Sequence, residues 1–324
     1  VLKISKSAVK NLLFNHLQFT IGELNMNIKS WISAFRLKTL PLALSNTIIG
    51  SCMAAADDKF RWPVFGLAAL TTVLLQIMSN MANDYGDFVN GKDTAERIGP
   101  KRMVQSGEIT AKTMLHGIIV IGILCVVSGV SLILIGTEGM NITNLLIFGV
   151  LGLAAIAAAI KYTVGKNPYG YRGLGDIFVF IFFGLVGVIG TYFLHTQSFR
   201  WDVLLPASAI GFLSTGVLNM NNMRDYEADK NAGKTTIVVA MGVKKAAVYQ
   251  LFLVAGAALL TVIYTFLNYH SLWQWLFVLS FPLLFLNLKK VFTYKSALEL
   301  YPELPRLSMA SLLFALTFGI GLLI

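Results

Sequence analysis

Residues 114–136 have the sequence MLHGIIVIGILCVVSGVSLILIG, and this stretch decides which kind of fold the chain adopts. It contains no Asp, Glu, Lys or Arg, and it is long enough to cross a hydrocarbon core of about 30 Å as a helix. Comparable apolar stretches recur from about residue 40 to the C-terminus. In chain order the predicted spans lie at about 40–58, 63–82, 114–136, 143–162, 174–195, 203–221, 246–267, 272–292 and 307–324.

The composition agrees with a membrane protein. The chain is 56% hydrophobic and 13% charged, whereas an ordinary soluble domain carries about 25% charged residues. This excludes a soluble enzyme, including a terpene synthase of the soluble type. Backbone polar groups inside lipid must bond internally, and a β-barrel would show alternating segments of about ten residues. We therefore predict an all-α, polytopic membrane protein with nine transmembrane helices.

The basic residues predict the orientation of these helices. Of the 26 Lys and Arg residues, all but Lys59, Arg61 and Arg200 fall before the first span, or in or next to the loops after the even-numbered spans. The positive-inside rule then places the N-terminus and those loops in the cytoplasm, in a multi-pass protein of the inner (cytoplasmic) membrane. The net charge of +10 is not gathered into one patch, so we expect the lipid bilayer, and no nucleic acid, as a partner.

The first part of the chain is expected to lie outside the fold. Residues 1–25 contain no Met and are only loosely amphipathic, and Met26 begins a stretch that resembles a natural start. They also lack the apolar core and cleavage site of a secretory signal. We expect an extension at 1–25 and a single nine-helix domain at 26–324.

Two acidic segments follow the second and sixth spans. The first is NDYGDFVNGKD at residues 83–93, and the second is NNMRDYEADKNAGKTT at residues 221–236. In each, an Asn is followed four residues later by an Asp, which places the two side chains on one face if the helix continues. This correspondence indicates a weak internal repeat of four helices.

Carboxylates spaced by one helical turn suit magnesium, which is usually shared between protein carboxylates and substrate phosphates. With Arg and Lys interleaved, the two segments would bind a magnesium diphosphate. The alternative is that these carboxylates are solvated loop charges, although ionisable groups at membrane ends often mark sites.

A third loop, KYTVGKNPYGYRGLGD at residues 161–176, carries further candidates. Tyr162 and Lys166 lie one turn apart. Lys161 and Lys166 could neutralise phosphate oxygens, or they could serve only as positive-inside determinants. Arg36, before the first span, could either reach the diphosphate or anchor the helix at the membrane surface.

Together these segments resemble the UbiA superfamily of intramembrane aromatic prenyltransferases, over roughly residues 27–324. The similarity is carried by NDYGDFVNGKD with RIGPKRMVQSG, by YRGLGDIFVFIFFGLVGVIGTYF and by NNMRDYEADKNAGKTTIVVAMG. The sequence is most similar to the branch that uses 1,4-dihydroxy-2-naphthoate in menaquinone biosynthesis. Five residues separate Asp87 from Asp93, where hydroxybenzoate enzymes have three, which favours this branch. Asp176 stands where Glu is expected.

The resemblance implies a central cavity among the nine helices, with a polyprenyl diphosphate and 1,4-dihydroxy-2-naphthoate as substrates and Mg²⁺ as cofactor. It implies metal ligands at Asp84, Asp87, Asp93, Asp225 and Asp229. It implies catalytic roles for Asp87, Asp225, Lys166 and Tyr162. It implies substrate binding by Asn83, Arg102, Asn221, Arg224, Lys234, Lys161 and Arg36.

Two other functions remain open at this point. Within the superfamily, the acceptor could be 4-hydroxybenzoate, homogentisate or protohaem. From a different class, a secondary transporter also has repeats and charges near the membrane midplane. A transporter usually buries ionisable residues inside its spans, whereas the spans predicted here are nearly free of them.

Overall fold

The computed structural model describes residues 28–93 and 98–324, and these residues form helices joined by short loops. Within them, nine helical segments are long and apolar enough to cross a membrane, which confirms the predicted all-α class. They are α1 (Ile28–Ala56), α2 (Trp62–Val89), α3 (Ala111–Gly136), α4 (Ile142–Lys161), α5 (Gly175–Thr196), α6 (Trp201–Arg224), α7 (Val243–Leu267), α8 (Leu272–Thr293) and α9 (Ala297–Leu323). The proposed extension at 1–25 lies outside the described residues.

Local sequence explains where several helices begin. The side chain of Thr110 caps α3 by accepting the Thr113 N–H at 3.2 Å, and Asn141 caps α4 in the same way from Asn144 at 3.2 Å. Each cap satisfies one of the N–H groups that a first helical turn leaves unpaired. Pro63 lies in the first turn of α2, where its missing N–H costs no hydrogen bond.

Three helices are clearly longer than the predicted spans, and one of them, α9, begins at Ala297 and not near 307. Helix α2 continues to Val89, beyond the predicted end at 82, so its last turns carry the first acidic segment. Helix α1 begins at Ile28 and not near 40, because the segment Ile28–Phe35 is itself helical and packs on α2. Arg36, at φ 51°, separates this segment from the rest of α1.

Several spans contain stretches that are not α-helical. The 3₁₀ turns lie at Leu37–Thr39 in α1, Trp201–Val203 in α6, Leu272–Ser280 in α8 and Ala297–Leu300 in α9. Helix α5 contains a π-helical stretch at Phe180–Ile189. Between the spans lie a 3₁₀ turn at Tyr169–Arg172 and short helices at Tyr226–Asn231 and Ile237–Met241.

The buried apolar side chains form two separate clusters. The smaller cluster joins the start of α1 to α2, α3 and the loop between them, around Met78, Met81 and Met114. The larger one joins the rest of α1 to α5–α9. A cavity of about 390 Å³ lies among α1–α6, and residues such as Asn83, Phe148 and Ser214 line it. The cavity thus lies between the two packed clusters.

Helices α5 and α6 approach closely at Gly184. A Cβ atom at this position would lie 2.6 Å from the Cα of Gly211 and 2.7 Å from the carbonyl oxygen of Ala207. Gly184→Ala should therefore lower the thermal unfolding midpoint in detergent, because forced overpacking costs about 1–3 kcal/mol. Gly149→Ala in α4 is the matched control, since its Cβ would meet nothing within 4 Å. Equal midpoints for the two variants would contradict this account of the α5–α6 contact.

Candidate active site

Asp87 is the centre of a buried ionic cluster at one end of the cavity. It lies in the last turn of α2, and its relative exposure is only 1%. Its Oδ1 accepts a hydrogen bond from the Tyr171 hydroxyl at 2.6 Å and lies 3.2 Å from the Lys234 ammonium. Its Oδ2 accepts a hydrogen bond from Arg102. Two cations and a phenol therefore converge on a single carboxylate.

Arg102 connects Asp87 to the end of the first acidic segment. Its Nε lies 3.3 Å from Asp93 Oδ1, and the side chain is 6% exposed. Burial by itself opposes the charge, but Asp87, Asp93, Asp84 and Asp225 together raise the pKa of Arg102 above its ordinary value. The guanidinium is therefore a permanent cation at this end of the cavity.

Lys234 connects the two acidic segments to each other. Its ammonium lies 3.2 Å from Asp87 Oδ1 and 3.4 Å from Asp229 Oδ1, so carboxylates from both segments share one cation. Burial raises the pKa of Asp229 to about 6; Lys234 opposes this shift, while Asp225 and Asp87 add to it. Carboxylates of the two acidic segments therefore meet at this ammonium.

Asp225 has a cation of its own. Arg224 donates from Nε to Asp225 Oδ1 at 2.8 Å and from Nη2 to Oδ2 at 2.6 Å. The same Nη2 donates to Asn221 Oδ1 at 2.8 Å. Helix α6 ends at Arg224 and a short helix begins at Tyr226, yet the Asp229 N–H still donates to the Asp225 carbonyl at 2.8 Å. Asp225 and Asp229 are therefore one turn apart, as their spacing predicts.

The third loop closes over both segments. The Tyr171 carbonyl accepts hydrogen bonds from Thr235 N and Thr235 Oγ1, both at 2.8 Å. Lys92 donates directly to the Ala232 carbonyl, and Asn90 donates to the Thr163 carbonyl at 2.8 Å. The loops after α2, α4 and α6 thus meet at one end of the bundle. The positive-inside pattern assigned these same loops to one side of the membrane.

Away from this end, most of the cavity wall is apolar. Aromatic and aliphatic side chains of α3, α4 and α5 form it, among them Leu132, Ile133, Phe148, Phe182 and Val186. A polar strip runs along α2 and α1. A site of this kind holds a charged group at one end and a long apolar group beyond it.

The carboxylates fit a divalent metal that is shared with a ligand. Among the described residues, no three His, Cys, Asp or Glu side chains come close enough to enclose a metal by themselves. Instead, Asp87 and Asp93 face one guanidinium, and Asp87 and Asp229 face one ammonium. Magnesium commonly takes one or two carboxylates and completes its shell with water and phosphate oxygens.

Comparison with known proteins identifies the family. The profile of the UbiA prenyltransferase family matches residues 43–300, which is most of the chain. The chain belongs to this family. It is 46% identical to the 1,4-dihydroxy-2-naphthoate octaprenyltransferase of Haemophilus influenzae, over 93% of this chain and 98% of that protein. It is 40% identical to the Escherichia coli protein of the same name, over 91% of this chain and 95% of that protein.

A solved structure supports the fold of this UbiA-family protein. The apo structure of a UbiA homologue from Aeropyrum pernix K1 superposes with a TM-score of 0.65 at 17% identity. The match covers 88% of this chain and 97% of the other. At this identity the similarity establishes the fold and nothing further.

The structure brings most of the predicted site residues together. Those that line the cavity are Arg36, Asn83, Asp87, Arg102, Tyr162, Asn221, Asp225, Asp229 and Lys234. Asp93 forms an ion pair with Arg102, and Arg224 forms an ion pair with Asp225. Lys161 and Lys166 are exposed and are not among the lining residues, so their assigned roles stay predictions.

Asp84 occupies a different place from the other acids of its segment. Its carboxylate accepts the backbone N–H of Met103 at 2.8 Å and of Val104 at 3.2 Å, and it does not line the cavity. These bonds fix the turn that follows Arg102. Since Asp84 and Asp87 are three residues apart on a helix, spacing alone could not distinguish their roles.

Tyr171 and Lys92 are the functional candidates that sequence reasoning missed. Tyr171 touches Asp87 by its hydroxyl, and its ring lies 5.0 Å from the Lys234 ammonium. Burial, reinforced by Asp87, raises the pKa of Tyr171 above its ordinary value, so the phenol stays a proton donor. The run YGYR at 169–172 places a tyrosine next to Arg172 in this loop, but nothing in the run identifies Asp87 as its partner.

The position of Asp84 leads to a test of its role. Asp84→Ala should lower the thermal unfolding midpoint in the presence of EDTA, because two buried N–H groups lose their acceptor at about 1–3 kcal/mol each. Glu227→Ala, an exposed acid at the same end of the bundle, is the control and should leave the midpoint unchanged. A variant at 84 that keeps its midpoint but loses its response to Mg²⁺ would instead assign Asp84 to the metal.

Proposed function

We propose that this protein transfers a polyprenyl group from polyprenyl diphosphate to 1,4-dihydroxy-2-naphthoate with loss of the carboxylate, in menaquinone biosynthesis. The observation that carries the proposal is the cavity itself, which has a cluster of carboxylates and cations at one end and apolar walls beyond it. The two relatives named as 1,4-dihydroxy-2-naphthoate octaprenyltransferases, at 46% and 40% identity, support the choice of acceptor.

Magnesium is the proposed cofactor, and Asp87, Asp93, Asp225 and Asp229 are the residues that would hold it. When bound, Mg²⁺ supplies positive charge to the diphosphate oxygens and so favours departure of the leaving group. We do not include Asp84 in this set, because its carboxylate is already used by the backbone of residues 103 and 104. Asn83 and Asn221 line the same end of the cavity and would bind the diphosphate or its waters.

The chain's own cations would share the charge that develops on the diphosphate. Arg102 and Lys234 line the cavity and face carboxylates in the structure. Phosphate oxygens can accept hydrogen bonds from the remaining N–H groups of Arg102 and Lys234. These hydrogen bonds strengthen as the C–O bond breaks and negative charge develops on the diphosphate. Tyr162 is a further neutral donor, since burial, with Asp176 nearby, raises its pKa above the ordinary value.

The bond changes balance without a protein base. The C–O bond of the allylic diphosphate breaks, and its electron pair leaves with the diphosphate. The ring carbon that bears the carboxylate then attacks the allylic cation. The C–C bond to the carboxylate breaks, CO₂ leaves, and its electron pair restores the aromatic ring, giving the quinol form of demethylmenaquinone. The apolar walls exclude the water that would otherwise capture the cation.

The proposed placement in the membrane follows from the charge pattern. The loops that join the ionic cluster are basic, and together with the N-terminus, the loop after α8 and the adjoining helix ends they account for all Lys and Arg residues except Lys59, Arg61 and Arg200. We therefore place them on the cytoplasmic side of the inner membrane. Both substrates carry negative charge and would reach the cluster from that side, while the polyprenyl chain would extend between the helices. Residues 26–324 would form the single catalytic domain.

Product formation by the purified protein tests the proposal directly. In detergent with a polyprenyl diphosphate and Mg²⁺, 1,4-dihydroxy-2-naphthoate should give a decarboxylated prenylnaphthoquinol, and EDTA should abolish it. Asp87→Ala and Asp225→Ala should each lower kcat at least 100-fold, whereas the exposed Glu227→Ala should not. If prenylated 4-hydroxybenzoate is the only product, the acceptor is 4-hydroxybenzoate and the proposed acceptor is wrong. Substrate flux in liposomes without product would indicate a transporter.

Lys234 should act on the diphosphate and not on the acceptor. Lys234→Met removes the ammonium between Asp87 and Asp229, and we expect KM for the polyprenyl diphosphate to rise about tenfold with KM for the acceptor unchanged. Lys230→Met is the matched control, because Lys230 lies four residues away and is exposed. If KM for the acceptor rises instead, Lys234 does not bind the diphosphate.

A further inference from the structure

A polar strip on α2 continues well beyond the ionic cluster. Thr72, Gln76, Asn80, Asn83 and Asp87 are spaced by three or four residues, so they lie on one face of the helix, and all line the cavity. Gln76 is seven residues before Asn83, which places it about 10 Å further along the helix axis. Polar side chains at this depth are costly in a membrane and call for a function other than binding the diphosphate.

The hydrogen bonds of Gln76 leave its oxygen available. Its Nε2 donates to Asn80 Oδ1 at 3.2 Å. Asn80 is fixed in turn, because its Nδ2 donates to the Phe35 carbonyl at 2.9 Å and to Thr39 Oγ1 at 3.0 Å. Gln76 Oε1 accepts no hydrogen bond from the described residues. The amide therefore presents an acceptor, which suits a neutral hydroxyl and repels a carboxylate or a phosphate.

Ser214, on α6, has an unpaired hydroxyl on the same cavity. The residue is 1% exposed, lines the cavity, and its Oγ has no hydrogen-bond partner. Serines and threonines inside helices usually donate to the carbonyl four residues earlier. Thr215 does so to Gly211 at 2.8 Å, and Ser311 does so to Leu307 at 2.9 Å. A buried hydroxyl without a partner costs free energy unless a ligand satisfies it.

Gln76 and Ser214 occupy corresponding positions on the two helices that lead into the acidic segments. Gln76 is seven residues before Asn83 and Ser214 is seven residues before Asn221, the asparagines that begin the two segments. Each therefore lies two turns below the charged end, on a different helix of the cavity wall. The repeat thus supplies two hydrogen-bonding groups at a similar depth.

We infer that Gln76 and Ser214 bind the two ring hydroxyls of the acceptor and so select a 1,4-dihydroxyarene over a monohydroxy one. The inference rests on the proposed function. Gln76 Oε1 accepts a hydrogen bond from one hydroxyl, and the Ser214 hydroxyl pairs with the other. These two side chains are specificity-determining residues that bind the acceptor and take no part in the ionisation of the diphosphate.

Equilibrium binding by anaerobic titration calorimetry in detergent tests this inference. The probes are 1,4-dihydroxy-2-naphthoate and 1-hydroxy-2-naphthoate, which lacks one hydroxyl. The wild type should bind the dihydroxy acid about tenfold more tightly than the monohydroxy acid, because the dihydroxy acid makes one additional hydrogen bond in the site. Gln76→Leu and Ser214→Ala should each weaken the dihydroxy acid about tenfold. For the variant that has lost the partner of the missing hydroxyl, the two acids should bind equally.

The controls separate specific from general effects. Ser214→Ala should keep the thermal midpoint of the wild type, because its hydroxyl makes no hydrogen bond in the protein. Ser208→Ala, on the same helix and away from the cavity lining, should keep the wild-type affinities. Affinity for the polyprenyl diphosphate should not change in any of these variants.

Each remaining outcome has a definite meaning. The inference is wrong if neither variant loses the preference of the wild type for the dihydroxy acid, including the case in which each variant weakens both acids by the same factor. It is also wrong if the wild type binds neither acid. Turnover judges the proposed function separately: a wild type that binds the dihydroxy acid with the expected pattern but forms no product would overturn the proposed function and leave this inference standing.

Discussion

The carboxylate of Asp87 sits at the end of a helix that crosses hydrocarbon, almost completely buried and held between Arg102 and Lys234. A buried charge is tolerated only when it is paired, and here each partner comes from a different loop. Satisfying this one carboxylate brings the loop after α2 together with the loop after α6, and Tyr171 adds the loop after α4. The convergence of three loops at one end of the bundle depends on this neutralisation.

The rest of the cavity is shaped by the opposite requirement. Apart from the ionic cluster and Arg36, the lining residues that the structure describes are uncharged, in keeping with the cost of ionisable groups inside a membrane. The polar side chains in this part of the wall, such as Gln76 and Ser214, are neutral and need no counter-ion. The cavity therefore has a charged end, a neutral polar middle and an apolar remainder. This gradient matches a substrate pair made of a diphosphate, a phenolic ring and an isoprenoid tail.

Periodicity and charge were sufficient to predict the helices and the end at which the acidic loops meet, because lipid leaves few alternatives for an apolar stretch. They also predicted that Asp225 and Asp229 lie one turn apart. They could not separate Asp84 from Asp87, since the difference depends on which backbone N–H groups the folded loop presents. Tyr171 was missed for the same reason: its partner is 84 residues away in the chain, and no local pattern encodes that contact.

The order in which the cluster's members emerge from the ribosome has a consequence for assembly. Arg102 follows Asp87 by only 15 residues, whereas Lys92 finds the Ala232 carbonyl 140 residues later. While α3–α6 are still being inserted, the nascent chain already carries the guanidinium that neutralises Asp87. This carboxylate can therefore be paired before the rest of the protein is made. Lys234 and the Lys92 contact complete the cluster only after α6 has entered the bilayer. The site is thus protected early and finished late in biogenesis.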